Sequence, residues 1–185
     1  EGRTAFTLYR DNVRMPELAS VNLKNTSFDL RAHLQLPETG AEGVIICQGG
    51  PMAGWSLYVQ DGRPTYLYNL FGRVLTSVTS PVALSAGAVE VGLAFDHDGG
   101  GLGEGGLARL SVDGVEVAQG RIEQTVPFLF SMSGETLDVG VDTGAPVGPY
   151  PHRFPFTGGI DRVDIVIRGD PDPALRDAER AGQER

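Results

Sequence analysis

Cysteine is almost missing: Cys47 is the single one among 185 residues, so no disulfide forms within the chain. That leaves the redox compartment open. Long apolar runs are missing too, and none approaches the roughly 20 residues of a membrane-spanning helix. No cluster of Lys and Arg occurs. Lys and Arg total 15 against 24 Asp and Glu, a formal net charge of −9. A nucleic-acid binder needs a basic face to displace counterions from phosphates, and an anionic membrane surface asks for the same, so both partner classes are disfavoured. The first residue is Glu1 rather than Met and no signal-peptide pattern follows, which reads as a fragment or a processed product, with the compartment undecided. Nothing before residue 170 carries a helical period.

What is present points to strands. Glycine is abundant at 26 residues and proline contributes 12, both placed between short apolar runs. Phe28-Asp29-Leu30-Arg31-Ala32-His33-Leu34-Gln35-Leu36 puts every even residue on one face, the period of a half-buried strand. Trp55 to Gln60 alternates again, Asp61-Gly62 signals a hairpin, and Arg63 to Tyr68 returns. Gly43 to Cys47, Arg73 to Thr79, Val89 to Phe95, Leu107 to Val112, Leu137 to Val141 and Ile160 to Ile167 add strands. Asp113-Gly114 makes a second hairpin into Val115 to Ala118. About ten short strands at this spacing predict an all-β, two-sheet antiparallel β-sandwich over residues 1–169. Residues 170–185 form a charged tail, a loose helix or a disordered segment. Alternation points Val44, Ile46, Trp55, Leu57, Val59, Leu110, Val112 and Ile165 inward.

Several motifs invite a chemical reading. Gly101-Leu102-Gly103-Glu104-Gly105-Gly106 matches a dinucleotide fingerprint, but a strand follows where a helix N-terminus is needed, so it reads as a loop between strands. Asp96, Asp98 and Glu104 flank or sit in that glycine-rich loop, and such hard oxygen ligands suit Ca²⁺; a solvated acidic turn is the plainer reading. Cys47, inside an apolar run, reads as a buried strand thiol. Asn25-Thr26-Ser27 is a formal glycosylation sequon, read as a turn. His33 and His152 have no partners that suggest a metal site. Tyr66 and Tyr68 share a strand face with Tyr58 across the hairpin. They offer a platform for a sugar ring, a contact for a neighbouring domain, or core. Tyr150, Arg153 and Phe154, in the proline-stiffened run 145–155, combine the residue types of an interface hot spot; a loop folded over its own sandwich is the alternative. An exposed apolar patch is expected at 48–54 or 142–156.

The strings Gly43-Val44-Ile45-Ile46, Gln48-Gly49-Gly50, Gly54-Trp55-Ser56-Leu57-Tyr58-Val59, Asp61-Gly62, Thr125-Val126-Pro127-Phe128, Leu137-Asp138-Val139-Gly140-Val141-Asp142-Thr143-Gly144 and Phe156-Thr157-Gly158-Gly159-Ile160 stand in a fixed order. Together they resemble the C-terminal region of bacterial arylsulfatases. The close of the series and the Val112-Asp113-Gly114 hairpin also resemble the concanavalin-like and laminin-G-like jelly rolls. Sulfatases act through a formylglycine made at a Cys/Ser-x-Pro-x-Arg motif beside a Ca²⁺. Here Cys47 precedes Gln48-Gly49-Gly50, so the resemblance carries no catalytic residue onto this chain. It implies a non-catalytic accessory domain that packs on an upstream sulfatase catalytic domain or an oligomer contact. A free-standing carbohydrate-binding sandwich, with a glycan as partner, is the alternative.

Overall fold

In the computed structural model, which describes residues 3–131 and 134–169, the alternating stretch Ser27–Leu36 is a strand whose even side chains are buried. Around it lie β1 (Ala5–Leu8), β2 (Met15–Pro16), β3 (Ser27–Leu36), β4 (Gly43–Gly50), β5 (Ala53–Gln60) and β6 (Arg63–Leu70). Then follow β7 (Val74–Thr79), β8 (Gly87–His97), β9 (Glu104–Val112), β10 (Val115–Gln124), β11 (Thr136–Val139) and β12 (Gly159–Arg168). Two antiparallel sheets result. Sheet I runs β1-β12-β3-β8-β9-β10 and sheet II runs β2-β11-β4-β5-β6-β7. This is the expected all-β, two-sheet sandwich. The proposed tail, 170–185, lies outside the described residues. Among those described, no helix is long and apolar enough to cross a membrane.

Both hairpins expected from sequence are present, with Asp61 and Gly62 at φ 51° and 70° and Asp113 and Gly114 at 50° and 78°. Positive φ at both central residues gives the turn whose twist matches its strands. Between the sheets, Phe28, Leu30, Ala32 and Leu34 of β3 and Val163 and Ile165 of β12 meet Ile46, Trp55, Leu57, Val59, Tyr66 and Tyr68 of sheet II. Trp55 is 1% exposed and donates through Nε1 to Gln48 Oε1 at 3.2 Å. Gln48, itself fully buried, donates to Ser20 Oγ at 3.0 Å. The one indole thus enters the core with its N–H satisfied.

One inward assignment is corrected. Val44 is buried, but on the outer side of sheet II. A bulge in β4 places Val44 opposite Tyr58 and Ile46 opposite Leu57, so Ile45 is the extra residue. Three consecutive apolar residues hide this slip, because alternation cannot register an insertion inside them. Val112 points toward the core and is only partly buried there.

Val44, Cys47, Tyr58 and Leu67 form a second apolar cluster on the outside of sheet II. The loop after β11 closes it with Val147, Tyr150 and the half-buried Phe154. Two tethers hold this loop down, and a third bond closes it on itself. Val44 N donates to Phe154 O at 2.8 Å, Asp142 N donates to Arg153 O at 2.9 Å, and Asn69 Nδ2 donates to Val147 O at 2.9 Å. Arg153 and Phe154 adopt left-handed backbone, φ 67° and 30°. That turn points both carbonyls at their donors, and the tethers offset its strain. Where the loop crosses β4, a Cβ on Gly43 would stand 2.2 Å from Pro155 O, so only glycine fits.

Candidate functional site

The tyrosines expected as a sugar platform do not form one. In the β5–β6 ladder Tyr66 opposes Leu57 and Tyr58 opposes Thr65. Tyr66 and Tyr68 therefore face the core, while Tyr58 faces the opposite side, beneath the loop. All three are buried, and burial raises each phenol above its ordinary range. The Tyr68 hydroxyl accepts from Val126 N at 2.8 Å. Tyr150 lies 5.0 Å from Tyr58 and 5.7 Å from Phe154, ring centre to ring centre. These anchors serve the chain's own sheet. Arg153 keeps an exposed side chain.

The candidate Ca²⁺ ligands also part. Asp96 pairs with Arg109 and, at 2.6 Å, with Arg168. Asp98 pairs with Arg121, whose hydrogen bond holds the Asp98 carboxyl below the usual range. Glu104 is exposed at the start of β9, and its carbonyl accepts from Thr125 Oγ1 at 2.7 Å. Arginines one strand away (Arg109) and two strands away (Arg121 and Arg168) supply the positive charge that a bound cation would bring. Sequence spacing does not show them.

Among the described residues, the group whose ligand atoms gather within 4.8 Å is Cys47, Asp138 and Asp142, all buried. The sequence reading missed it, because β4 and the loop lie far apart along the chain. Its acids are taken up by the loop. Thr143 donates N–H and Oγ1–H to Asp138 Oδ2 at 2.8 and 2.7 Å. Val147 N and the Tyr150 hydroxyl reach Asp142 Oδ2 at 3.2 and 2.8 Å. Burial raises the Cys47 thiol, helped by the charges of Asp142 and Asp138, so it stays a thiol. This cluster acts as a clamp on the loop.

With the outside of sheet II covered over β4–β6, the broad open face is the outside of sheet I. There β3 and β12 present Asp29, Arg31, His33, Arg162, Asp164 and Val166 around a shallow groove of about 300 Å³. The strand register explains the set. Arg31 opposes Asp164 on one side and Gly92 on the other, and His33 opposes Arg162 and Glu90. Most of the charges neutralise one another. Asp164 takes Thr7 Oγ1 and Arg162 Nε, each at 2.8 Å, and lies 3.1 Å from His33 Nε2. Its partial burial works to raise the carboxyl. The bonds from Thr7 and Arg162 and the Arg162 charge outweigh that and hold it below the usual range. Asp29 pairs with Arg168 at 3.1 Å. The groove therefore offers fixed, planar hydrogen-bonding groups on a rigid sheet, the equipment for orienting a polar ligand. Alternation alone marked these residues as polar and outward, but gave no sign that their face stays open while the other is covered.

No family model matches the chain, and no curated protein does. Similar solved structures exist. Mouse laminin α1 domains LG4-5 share 17% identity, covering 90% of this chain and 40% of that one, with a TM-score of 0.50. The CBM40 of Ruminococcus gnavus IT-sialidase, bound to α2,3-sialyllactose, shares 14%, covering 92% and 90%, at 0.54. The leech intramolecular trans-sialidase shares 12%, covering 94% and 26%, at 0.56. The chain thus spans well under half of the laminin and trans-sialidase chains and nearly all of the CBM40. At such identities the likeness is one of fold: the chain has a jelly-roll, concanavalin-like sandwich fold, similar to that of laminin G-like and CBM40 domains.

Proposed function

We propose that the chain is a non-catalytic, saccharide-binding β-sandwich that takes its ligand on the outside of sheet I. The observation that carries this reading is the asymmetry of the two outer faces. One is covered over β4–β6 by the chain's own loop, which leaves β7 exposed. The other is open and holds Arg31, His33, Arg162, Asp29 and Asp164 at fixed register. Sugar hydroxyls are recognised by such planar donors and acceptors, and a sheet holds them without reorganisation. The CBM40 neighbour, bound to a sialyllactose, fits the same reading. A glycan array on the purified chain, repeated with Arg162→Ala plus His33→Ala, tests it. Binding that the double variant weakens supports the proposal. An array without signal, or signal indifferent to the variant, refutes it.

A second reading, an accessory domain of an arylsulfatase-type enzyme, rests on the ordered sequence strings. Several of them, Gln48-Gly49-Gly50 and Asp138 to Gly144 among them, build the clamp and the core of sheet II. They speak for shared architecture rather than shared chemistry. Under this reading the partners are an upstream catalytic domain or another copy. Met52, 69% exposed within the expected 48–54 region, and Phe71, 50% exposed on the neighbouring turn, supply an apolar contact. An in-frame Cys/Ser-x-Pro-x-Arg motif upstream in the gene supports it, and its absence counts against it.

A further inference from the structure

The two sheets end in four edge strands. An edge pairs with another chain unless shortness, proline, charge or a bulge prevents it. Three of the four carry such guards. β1 has four residues, and β2 has two, one of them Pro16. β10 carries Glu116, Arg121 and Glu123, and a bulge between Glu116 and Ala118. β7 has none of them. Val74-Leu75-Thr76-Ser77-Val78-Thr79 holds no charge and no proline, and pairs with β6 in unbroken register. Its surroundings are equally unguarded. In a chain with 24 acids and a net charge of −9, residues 62–89 contain no Asp or Glu.

The ladder decides which backbone groups β7 leaves open. Ser80 N donates to Pro64 O at 3.0 Å. Bonded and non-bonded pairs alternate in an antiparallel ladder, so Val78, Thr76 and Val74 turn their backbone groups to β6. The N–H and C=O of Leu75, Ser77 and Thr79 point away from the sheet, and all three residues are exposed. We infer that β7 is a dimer edge, which takes β7 of a second copy of this chain, antiparallel, about a two-fold axis at Ser77. That register bonds Ser77 to its own counterpart and Leu75 to Thr79 of the second copy on both sides, about six backbone hydrogen bonds in all. Arg73 then stands opposite Pro81 rather than opposite another charge. Phe71, 50% exposed before the strand, comes beside Val82 of the second copy, 65% exposed after it, so apolar side chains cover both ends of the seam. Charge favours a copy as the occupant. Molecules of one strongly acidic protein repel one another, and the acid-free stretch is where two of them approach with least opposition. The pairing leaves the outside of sheet I uncovered in both copies. A seam of one short strand pair with four apolar caps lies at the small end of specific interfaces, so association in the range of about 1–100 µM is expected.

Sedimentation equilibrium of the full chain from about 1 µM to 1 mM tests this, with Ser77→Lys, Ser77→Glu and, on the guarded edge, Gln119→Lys compared. The parent should pass from monomer to dimer mass and stop there. Ser77→Lys and Ser77→Glu each set two like charges face to face and should weaken the dimer by at least about tenfold. Their side chains lie in solvent in the monomer, so the unfolding midpoint at low concentration should match the parent's. An equimolar mixture of the two variants should dimerise again, because the opposed charges then attract. Gln119→Lys should dimerise like the parent. A parent that stays monomeric to 1 mM overturns the inference. So does a dimer that both Ser77 variants leave intact, one that Gln119→Lys disrupts instead, or a mixture that stays as monomeric as either variant alone.

Discussion

Substitution of Tyr150 separates a loop that closes its own sheet from one displayed for a partner. Its ring is 7% exposed, packed between Tyr58 and Phe154, and its hydroxyl donates to Asp142 Oδ2 at 2.8 Å. Tyr150→Phe keeps the ring and removes the donor. A hydrogen bond to a charged group is worth about 1.5–3 kcal/mol. In a chain of this length each kcal/mol moves the midpoint by about 2–4 °C, so Tyr150→Phe should lower Tm by roughly 3–12 °C. Tyr150→Ala also empties the ring's place, and aromatic truncation in a packed site costs about 3–5 kcal/mol before the hydrogen bond is added. That is a large share of the ~5–15 kcal/mol total stability of an ordinary domain. Urea and thermal unfolding, followed by the fluorescence of the one tryptophan, measure both variants. Midpoints within error of the parent for Tyr150→Ala would refute the clamp and return the loop to the role of a docking surface.

Other outcomes follow from the same contacts. Trp55→Ala should cost about 3–5 kcal/mol, read as a shift of the urea midpoint by circular dichroism, because a fully buried indole is lost and Gln48 loses its donor. Burial raises the Asp142 carboxyl against the bonds from Tyr150 and Val147. A folded-state value above the unfolded one gives stability that is full below the unfolded pKa and fades as pH rises through the folded one. Asp142→Asn should therefore cost most in acid and less toward neutral pH, and a cost that grows with pH would contradict this. Gly43→Ala should destabilise strongly, since its Cβ meets Pro155 backbone, whereas Gly114→Ala meets open space and carries only the strain of positive φ. A comparison of their unfolding midpoints checks the ranking.

Much of the fold was legible because the strands alternate. The even residues of β3, the two Asp-Gly hairpins and the inward Trp55 all follow from period two and turn chemistry. What sequence could not show was anything that depends on a third partner. The β4 bulge vanished inside Val44-Ile45-Ile46. β1 and β2 are too short to carry a period. The tyrosines looked like a platform because aromatic residues on neighbouring strands share a neighbourhood before register decides which face each takes. Asp96 and Asp98 looked like free ligands because Arg109, Arg121 and Arg168 reach them from other strands. The groove of sheet I was visible only as polar positions. Its openness depends on the 141–156 loop choosing the other sheet, a choice fixed by tertiary tethers such as Asn69 to Val147.

The most direct test of the account is a ¹H–¹⁵N correlation titration of the whole chain with the saccharide that binds best on the array. Shift changes are expected at 29–33, 90–94, 109–111 and 162–166, with the amides of 53–59 and 142–156 unmoved. Changes centred on 142–156, or no change with any saccharide, would contradict it.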